Sequence, residues 1–188
     1  MSKKKAFNTS KILQKVTTLF HSKGYSDTSM QDIVNISGLN RSSIYNTFGS
    51  KLDLFILCYE TSEAKYRRDI QQILLSSTNA LKSIRQILEI SINDSYNGYL
   101  IPNYFFEVKN SEPSIQKLII NQQEYLLELF EDVIKRGQNV GSINNSKSNK
   151  QYALYILTSY LGIQSAKFIN KEKNKLENIV YDIISILE

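Results

Sequence analysis

The sequence predicts an all-α protein, in which a three-helix N-terminal helix-turn-helix domain is joined by a long helix to a larger helical domain. Apolar residues recur three and four positions apart along most of the chain, which is the spacing of one helix face. Alternating apolar and polar runs, which would indicate strands, are not a feature of the sequence. Residues 28–51 read as two short helices joined by a tight turn. We therefore assign residues 1–51 to the first domain and residues 52–188 to the second.

The first two helices are bounded by recognisable start and stop signals. The first is predicted over about residues 9–23, with its apolar residues on one stripe, and Gly24 stops it. The second begins near Thr28, which has the spacing of a capping box with Gln31. Gly38 ends this helix, since a residue without a Cβ readily adopts a left-handed conformation.

The third helix is predicted over Arg41–Phe48, with Asn40 as its N-cap. Ile44 and Phe48 are four apart and face inward. The other face carries short polar side chains flanked by an arginine and a tyrosine, and no carboxylate: Ser42, Ser43, Asn46, Thr47, Arg41 and Tyr45. Such a surface offers hydrogen-bond donors to phosphates and base edges in a major groove. The alternative is an ordinary amphipathic hairpin whose polar face is solvated.

The basic residues are concentrated in the same part of the chain. Residues 1–51 contain eight Lys and Arg against two acids, a net charge of +6, whereas residues 52–188 contain 15 against 16, a net −1. This asymmetry is typical of a domain that binds polyanions. A lysine-rich tail can also serve solubility alone, so charge supports nucleic-acid binding only in combination with the helical pattern.

The stretch from Gly24 to Leu52 resembles the N-terminal domain of the TetR family of bacterial transcriptional regulators. The matching residues are Gly24, Tyr25, Thr28, Ser29, Ile33, Gly38, Tyr45, Phe48, Gly49, Ser50, Lys51 and Leu52. Val34 departs from the pattern, because the family usually has alanine there. The resemblance implies a homodimer that places two third helices in successive major grooves of a roughly palindromic double-stranded operator.

The resemblance also implies which side chains contact DNA. We expect base-edge contacts from Arg41, Ser42 and Asn46. Phosphate contacts are expected from Thr28, Ser43, Tyr45, Thr47 and Lys51, and Ser29 belongs to the same DNA-binding set.

The rest of the chain is predicted to be helical. A long helix over residues 51–75, started by Ser50 and Asp53, would act as a lever between the two domains. Further helices are predicted from about Asn79 to Tyr96 and from Pro113 to just before Gly137. A polar loop over residues 138–149 precedes two last helices, over residues 149–170 and 172–187. These two are apolar on more than one face, which favours burial against a partner.

In the TetR family the two last helices form a four-helix dimer interface, so the resemblance implies a homodimer here. The predicted interface residues are Tyr160, Leu161, Gln164, Ile179 and Ile183. Ala153 and Gly162 would allow close approach of the helices.

Aromatic residues in the middle of the chain suggest a small-molecule pocket, although they equally suit a helical core. The candidate ligand-binding residues are Tyr96, Tyr99, Tyr104, Phe105, Tyr125 and Tyr155. Few charged residues lie among them, which favours an unknown ligand that is apolar or neutral. The chain has Gly98-Tyr99 where a similar TetR subgroup has Gly-Cys, so a thiol-sensing mechanism is not carried over.

The sequence therefore predicts a homodimeric, sequence-specific DNA-binding regulator, released from its operator by a small, largely apolar ligand. Repression rather than activation is the family default. The alternative is an architectural or co-regulatory DNA-binding protein with no small-molecule effector. An enzyme is not expected, because no nucleophile–base set, metal-ligand cluster or glycine-rich phosphate loop is present, and no cofactor is expected. No apolar run is long enough to cross a membrane, and we expect a cytoplasmic protein.

Overall fold

A computed structural model describes residues 8–92, 112–169 and 172–188, and these described residues form eight α-helices without a strand. The helices are α1 (Thr9–Lys23), α2 (Met30–Ser37), α3 (Arg41–Phe48), α4 (Lys51–Ser76), α5 (Ala80–Ile92), α6 (Pro113–Asn139), α7 (Asn149–Ile169) and α8 (Lys173–Ser185). The predicted all-α fold, with a small N-terminal helix-turn-helix part and a larger helical part, is confirmed. No described helix is long and apolar enough to span a bilayer.

The described residues fall into two compact units. Residues 8–65 belong to the first unit, and residues 66–92, 112–169 and 172–188 belong to the second. The division lies between Lys65 and Tyr66, inside α4, so this helix contributes to both units. The domain boundary at residue 51 that the sequence suggests stays a prediction.

An aromatic cluster holds the first unit together. The ring of Phe55 on α4 packs edge-on against Phe20 of α1, with 5.1 Å between centroids, and against Tyr25, at 5.2 Å. Ile33 of α2 and Ile44 of α3 are fully buried. Because each helix contributes at least one of these buried side chains, α2 and α3 are fixed on α1 and the start of α4.

In the second unit, α6 is longer than the sequence indicated. The prediction that this helix ends before Gly137 is wrong, because it continues to Asn139. Gly137 has ordinary helical geometry and is buried, and a Cβ there would lie 2.6 Å from Ile143 Cδ1 and 2.8 Å from Ala80 Cβ. The glycine therefore serves close packing of the helix against α5 and the following loop. It is not a helix stop.

That loop closes a hairpin between α6 and α7 and is pinned to the end of the chain. Ile143 is fully buried. The backbone N–H of Asn144 donates to the carbonyl of Leu187 at 2.9 Å, and its side-chain amide donates to the carbonyl of Ile186 at 3.0 Å. Tyr152 donates its hydroxyl to Asn144 Oδ1 at 2.6 Å. The residues after α8 are therefore bound to the second unit.

Candidate nucleic-acid interface

Helix α3 presents the polar surface that the sequence predicts. Asn40 is its N-cap, because the backbone N–H of Ser43 donates to Asn40 Oδ1 at 2.8 Å. Ile44 and Phe48 are buried, which turns the opposite side of the helix outward. Five of the predicted DNA-contacting residues of this helix are exposed, namely Arg41, Ser42, Tyr45, Asn46 and Thr47. The sixth, Ser43, is half-buried. The six residues thus lie together on one short helix.

Helix α2 has a capping box, but it starts one residue later than the sequence suggested. The predicted pair of Thr28 and Gln31 is wrong, and the pair is Ser29 and Asp32. The backbone N–H of Asp32 donates to Ser29 Oγ at 3.1 Å, and the backbone N–H of Ser29 donates to Asp32 Oδ2 at 2.9 Å. Ser29 remains exposed at the helix N-terminus. Its side chain therefore lies where the positive end of the helix favours anions.

Thr28 lies inside the first unit. Its side chain is fully buried and donates its hydroxyl to the carbonyl of Gly24 at 2.6 Å. This bond closes the turn between α1 and α2, where Gly24 has a positive φ of 80°. The hydroxyl that the sequence assigned to a DNA phosphate thus has an internal partner.

Lys51, at the start of α4, also makes internal contacts. Its ammonium donates to the carbonyls of Tyr25 and Thr28, both at 2.9 Å, and lies 4.3 Å from the centroid of the Tyr25 ring. The side chain is half-buried. Two of the three N–H donors of the ammonium are therefore used within the protein, and they fix the α1–α2 turn to the first turn of α4.

A second capping box starts α4 at Ser50, which the sequence predicted as the cap of this helix with Asp53 near its positive end. The backbone N–H and the hydroxyl of Ser50 both donate to Asp53 Oδ2, at 2.8 and 2.7 Å. Gly49 precedes it with a positive φ of 80°, and a Cβ there would lie 2.5 Å from Asp53 Oδ2. Only glycine fits between the end of α3 and this cap.

The two capping carboxylates are held in their charged form. Hydrogen bonds from the side chain and backbone of Ser29, with the Lys23 ammonium 3.1 Å away, lower the pKa of Asp32 from 3.8 to about 2. Hydrogen bonds from Ser50 likewise lower the pKa of Asp53. Both negative charges therefore lie at helix N-termini and are compensated there by amides and hydroxyls.

This arrangement of α1 to the start of α4 is one that a known family shares. Residues 12–58 match the family model described as bacterial regulatory proteins, tetR family. Residues 12–58 are therefore a TetR-family domain. The relatives that match most of the chain are named as transcriptional regulators, which agrees with the expectation that the chain is not an enzyme.

Full-length relatives extend the TetR likeness beyond the matched segment. The uncharacterized HTH-type transcriptional regulator YezE of Bacillus subtilis (strain 168) is 23% identical over 194 residues, covering all of both chains. The HTH-type transcriptional repressor DhaR of Mycobacterium sp. (strain GP1) is 22% identical over 178 residues, 94% of this chain and 90% of DhaR. A cysteine mutant of the TetR-family regulator CifR, solved with a 26-base-pair operator DNA, has a TM-score of 0.83 at 18% identity and covers all of both chains.

Two of the six candidate ligand residues, Tyr125 and Tyr155, lie in the part of the chain that the structure describes. Tyr96, Tyr99, Tyr104 and Phe105 lie outside the described residues. Tyr155 is half-buried on α7. Tyr125 on α6 has the Arg67 guanidinium 3.7 Å from its ring centroid and lines a groove of about 620 Å³ whose walls carry both acidic and basic side chains.

The predicted dimer residues divide by burial. Tyr160, Gln164 and Ile183 are buried within the second unit, so they have no surface to offer a partner helix. Leu161 is half-buried and Ile179 is 41% exposed. Other large apolar side chains of α7, α8 and the residue after α8 are also exposed, namely Leu154, Tyr181 and Ile186. A helix that is apolar on two faces has the same sequence pattern on each. The pattern alone therefore does not show which face packs in the core and which faces a partner.

Proposed function

We propose that this TetR-family regulator is a homodimeric, sequence-specific DNA-binding repressor that a small, largely apolar ligand releases from a roughly palindromic operator. The exposed face of α3 is the observation that carries the proposal. It bears Arg41, hydroxyls, an amide and a tyrosine, and α3 contains no acid. A helix of this composition can enter a major groove without electrostatic repulsion. The operator DNA in the CifR structure supports the same mode of binding for this chain.

The side chains on α3 have distinct proposed roles. Arg41, Ser42 and Asn46 read base edges, because they are exposed. Arginine and asparagine can each form two hydrogen bonds with one base, and serine can donate or accept one. Ser43, Tyr45 and Thr47 donate to phosphates from the flanks of α3, whereas the hydroxyl of Ser29 at the start of α2 already donates to Asp32 Oδ2 at 2.7 Å. Thr28 and Lys51, whose donors have internal partners, act chiefly by holding the α1–α2 turn in place.

The reading of base edges is tested with an operator selected from a library of randomised duplexes. Arg41→Ala is expected to lose about 1–3 kcal/mol of affinity for the selected site and to relax preference at one base pair. Lys15→Ala removes one positive charge from an exposed position of α1 and is the matched control. Equal loss of affinity for selected and random duplexes in Arg41→Ala would place the sequence-reading surface elsewhere.

The dimer is proposed to form through the exposed apolar side of α7 and α8. Leu154, Leu161 and Ile179 supply apolar surface there, and Gly162 leaves open space in which a partner helix could approach. Leu161→Arg and Ile179→Glu should each yield monomers, because the interface would bury an unpaired charge. Asn178→Glu adds the same charge at the neighbouring exposed position and should leave the dimer intact. A wild-type protein that sediments as a monomer at micromolar concentration would contradict the dimer.

Operator release is proposed to follow from linkage between ligand and DNA. A ligand that prefers the non-binding arrangement by about 1–3 kcal/mol loosens DNA roughly five- to 150-fold, and DNA must weaken ligand binding by the same factor. Native mass spectrometry of purified protein would find such a ligand if it co-purifies. If ligand affinity were the same with and without operator, the alternative function, an architectural or co-regulatory protein without effector control, would be favoured.

A further inference from the structure

Helix α6 has a single polar residue in its buried stripe. Ile115, Ile119, Leu126 and Phe130 recur at helical spacing and are buried, and Gln122 occupies the position between Ile119 and Leu126. The side chain of Gln122 is 1% exposed. Neither its Nε2 nor its Oε1 has a hydrogen-bond partner. A primary amide with two donors and an acceptor is therefore enclosed with its hydrogen-bonding capacity unused, in a stripe whose neighbouring members are apolar.

The other fully buried polar residues in the described part of the chain do have partners. Thr28, Ser83 and Ser91 donate their hydroxyls to backbone carbonyls, as short side chains in helices and turns commonly do. Thr17 bonds with Cys58, and Gln164 bonds with the hydroxyl of Tyr160. Gln122 is thus the exception among the six, and an unsatisfied buried amide destabilises a protein unless something else completes it.

The residue count along α6 and α7 places Gln122 near the height of other polar groups of this core. Helices α6 and α7 pack against each other as a hairpin. Gln122 is 17 residues before the last residue of α6, and Gln164 is 15 residues after the first residue of α7. In an antiparallel pair this places them about 3 Å apart in height. Tyr160 lies one turn from Gln164, and its ring stacks on Tyr66 of α4 with 6.4 Å between centroids. Tyr66 on α4 thus joins Tyr160 and Gln164 on α7 in one polar cluster, and the residue count places Gln122 of α6 near its height.

The chemistry of this layer restricts what can bind there. No Asp, Glu, Lys or Arg is among the buried residues that the structure describes, so an ion would lose its hydration without gaining an opposite charge. Tyr66 Oη is also enclosed and bonds with the hydroxyl of Tyr160. Asp69 Oδ2 and Gln86 Oε1 lie on side chains that are only partly buried. An amide is completed best by a group that offers a donor and an acceptor side by side, as a second amide does.

We propose that the Gln122 amide is a ligand-binding group, and that it recognises a neutral carboxamide or lactam carried on an apolar body. The carboxamide carbonyl accepts from Gln122 Nε2, and its N–H donates to Gln122 Oε1. The apolar body packs along the stripe that Ile119 and Leu126 form. This inference rests on the proposed function in one respect, namely that ligand binding releases the operator. Binding of the ligand at Gln122 does not itself require DNA.

The test compares two isosteric probes by thermal unfolding. Hexanamide and 2-heptanone differ by an NH₂ in place of a CH₃, so the ketone can accept from Gln122 but cannot donate to it. Millimolar hexanamide should raise the Tm of the wild type by a few degrees and 2-heptanone should raise it less. In Gln122→Leu the difference between the probes should vanish. Gln123→Leu makes the same change on a neighbouring half-buried residue outside the buried stripe and should behave like the wild type.

The ligand-free variant provides a second measurement. Gln122→Leu should unfold at a higher temperature than the wild type, because an unsatisfied amide is replaced by an apolar side chain of similar size. Gln122→Met is a second variant, in case the branched leucine side chain disturbs packing at this position. A lower Tm in both variants would mean that Gln122 has a structural partner and would overturn the proposal. So would an unchanged wild-type Tm in hexanamide, or equal shifts in the wild type and Gln122→Leu.

Operator affinity, measured with and without hexanamide, distinguishes failure of this proposal from failure of the proposed function. If hexanamide binds through Gln122 and also weakens the operator complex, both stand. If it binds through Gln122 and operator affinity is unchanged, the site stands and its regulatory role is lost. If the protein binds no duplex at all, the proposed function fails, and the thermal comparison still decides whether Gln122 is a ligand-binding group.

Discussion

Replacing Lys51 by methionine should loosen the helix-turn-helix unit before it affects any phosphate contact. Methionine keeps much of the length of the side chain and removes the ammonium. The carbonyls of Tyr25 and Thr28 then lose their donor, and the Tyr25 ring loses the cation that lies 4.3 Å from its centroid. Because these contacts hold the α1–α2 turn against α4, their loss should destabilise the turn that leads into α2.

The size of the effect follows from the three contacts. Hydrogen bonds to charged groups contribute about 1.5–3 kcal/mol each, and a partly desolvated cation–π contact contributes roughly 0.5–2 kcal/mol. Lys51 is only half-buried, so water replaces part of what is lost. We therefore expect Lys51→Met to lower the free energy of unfolding by about 2–4 kcal/mol. Lys51→Arg should lower it less, since it retains a cation but cannot place a compact ammonium between the two carbonyls.

The assay pairs urea unfolding with the salt dependence of operator binding. Lys15→Met, which removes an exposed charge from α1, is the control for net charge. The sequence-based prediction is that Lys51→Ala weakens binding to all duplexes and lowers the salt slope by about one unit. That result requires the third N–H of the ammonium to reach a phosphate. If Lys51→Met unfolded at the wild-type urea midpoint, the structural role of the Lys51 ammonium would be refuted, whatever happened to the salt slope.

Three further predictions concern the same unit. Gly49→Ala should lower the free energy of unfolding by about 1–3 kcal/mol, measured by urea, because its Cβ would strike Asp53 and φ is positive; Gly38→Ala, which meets no atom, should lower it less. The folded pKa of Asp32, about 2, lies below its ordinary 3.8, so its cap stabilises above pH 4 and is lost as pH falls through 2. The difference in unfolding free energy between wild type and Asp32→Asn should accordingly close over that range. Burial raises the pKa of the Cys58 thiol to about 11, so a disulfide reagent at pH 8 should label it only at the rate of unfolding.

Local signals made much of the first unit predictable. Gly38 has the left-handed conformation, with φ of 71°, that its position after an amphipathic run indicated. Asn40 caps α3 through its side chain, and Ile44 and Phe48 are buried as their four-residue spacing required. Each of these features depends on a few residues next to one another in the chain, which is why a single sequence contains enough information to place them.

The cap of α2 was not predictable at single-residue precision. Two overlapping pairs, Thr28 with Gln31 and Ser29 with Asp32, have the same spacing. The choice between them depends on which hydroxyl is enclosed when α1, α2 and α4 pack. Thr28 is enclosed, and its hydroxyl bonds back to Gly24 across the turn. Tertiary packing decided between two local signals of similar strength.

The internal contacts of Lys51 and the packing role of Gly137 were not predictable for a related reason. A basic residue at the start of a helix in a DNA-binding domain suggests a phosphate contact, and a glycine near a helix end suggests a stop. The actual partners of Lys51 are 23 and 26 residues away, and the residue that Gly137 accommodates most closely lies in the loop that follows. Contacts over such distances leave no periodic trace in a sequence. The same limit applies to Gln122, because the sequence does not show that its buried amide has no hydrogen-bond partner.

The capping boxes also explain how acids can occur beside a surface proposed to meet a polyanion. Asp32 and Asp53 each accept from a serine hydroxyl and a backbone N–H at a helix N-terminus, and Asp32 additionally lies 3.1 Å from Lys23. Their charges are compensated locally, by groups that would otherwise attract anions themselves. The outward face of α3 carries Arg41 and neutral donors only. The basic excess of residues 1–51, which already counts Asp32, therefore remains available for the proposed contact with DNA.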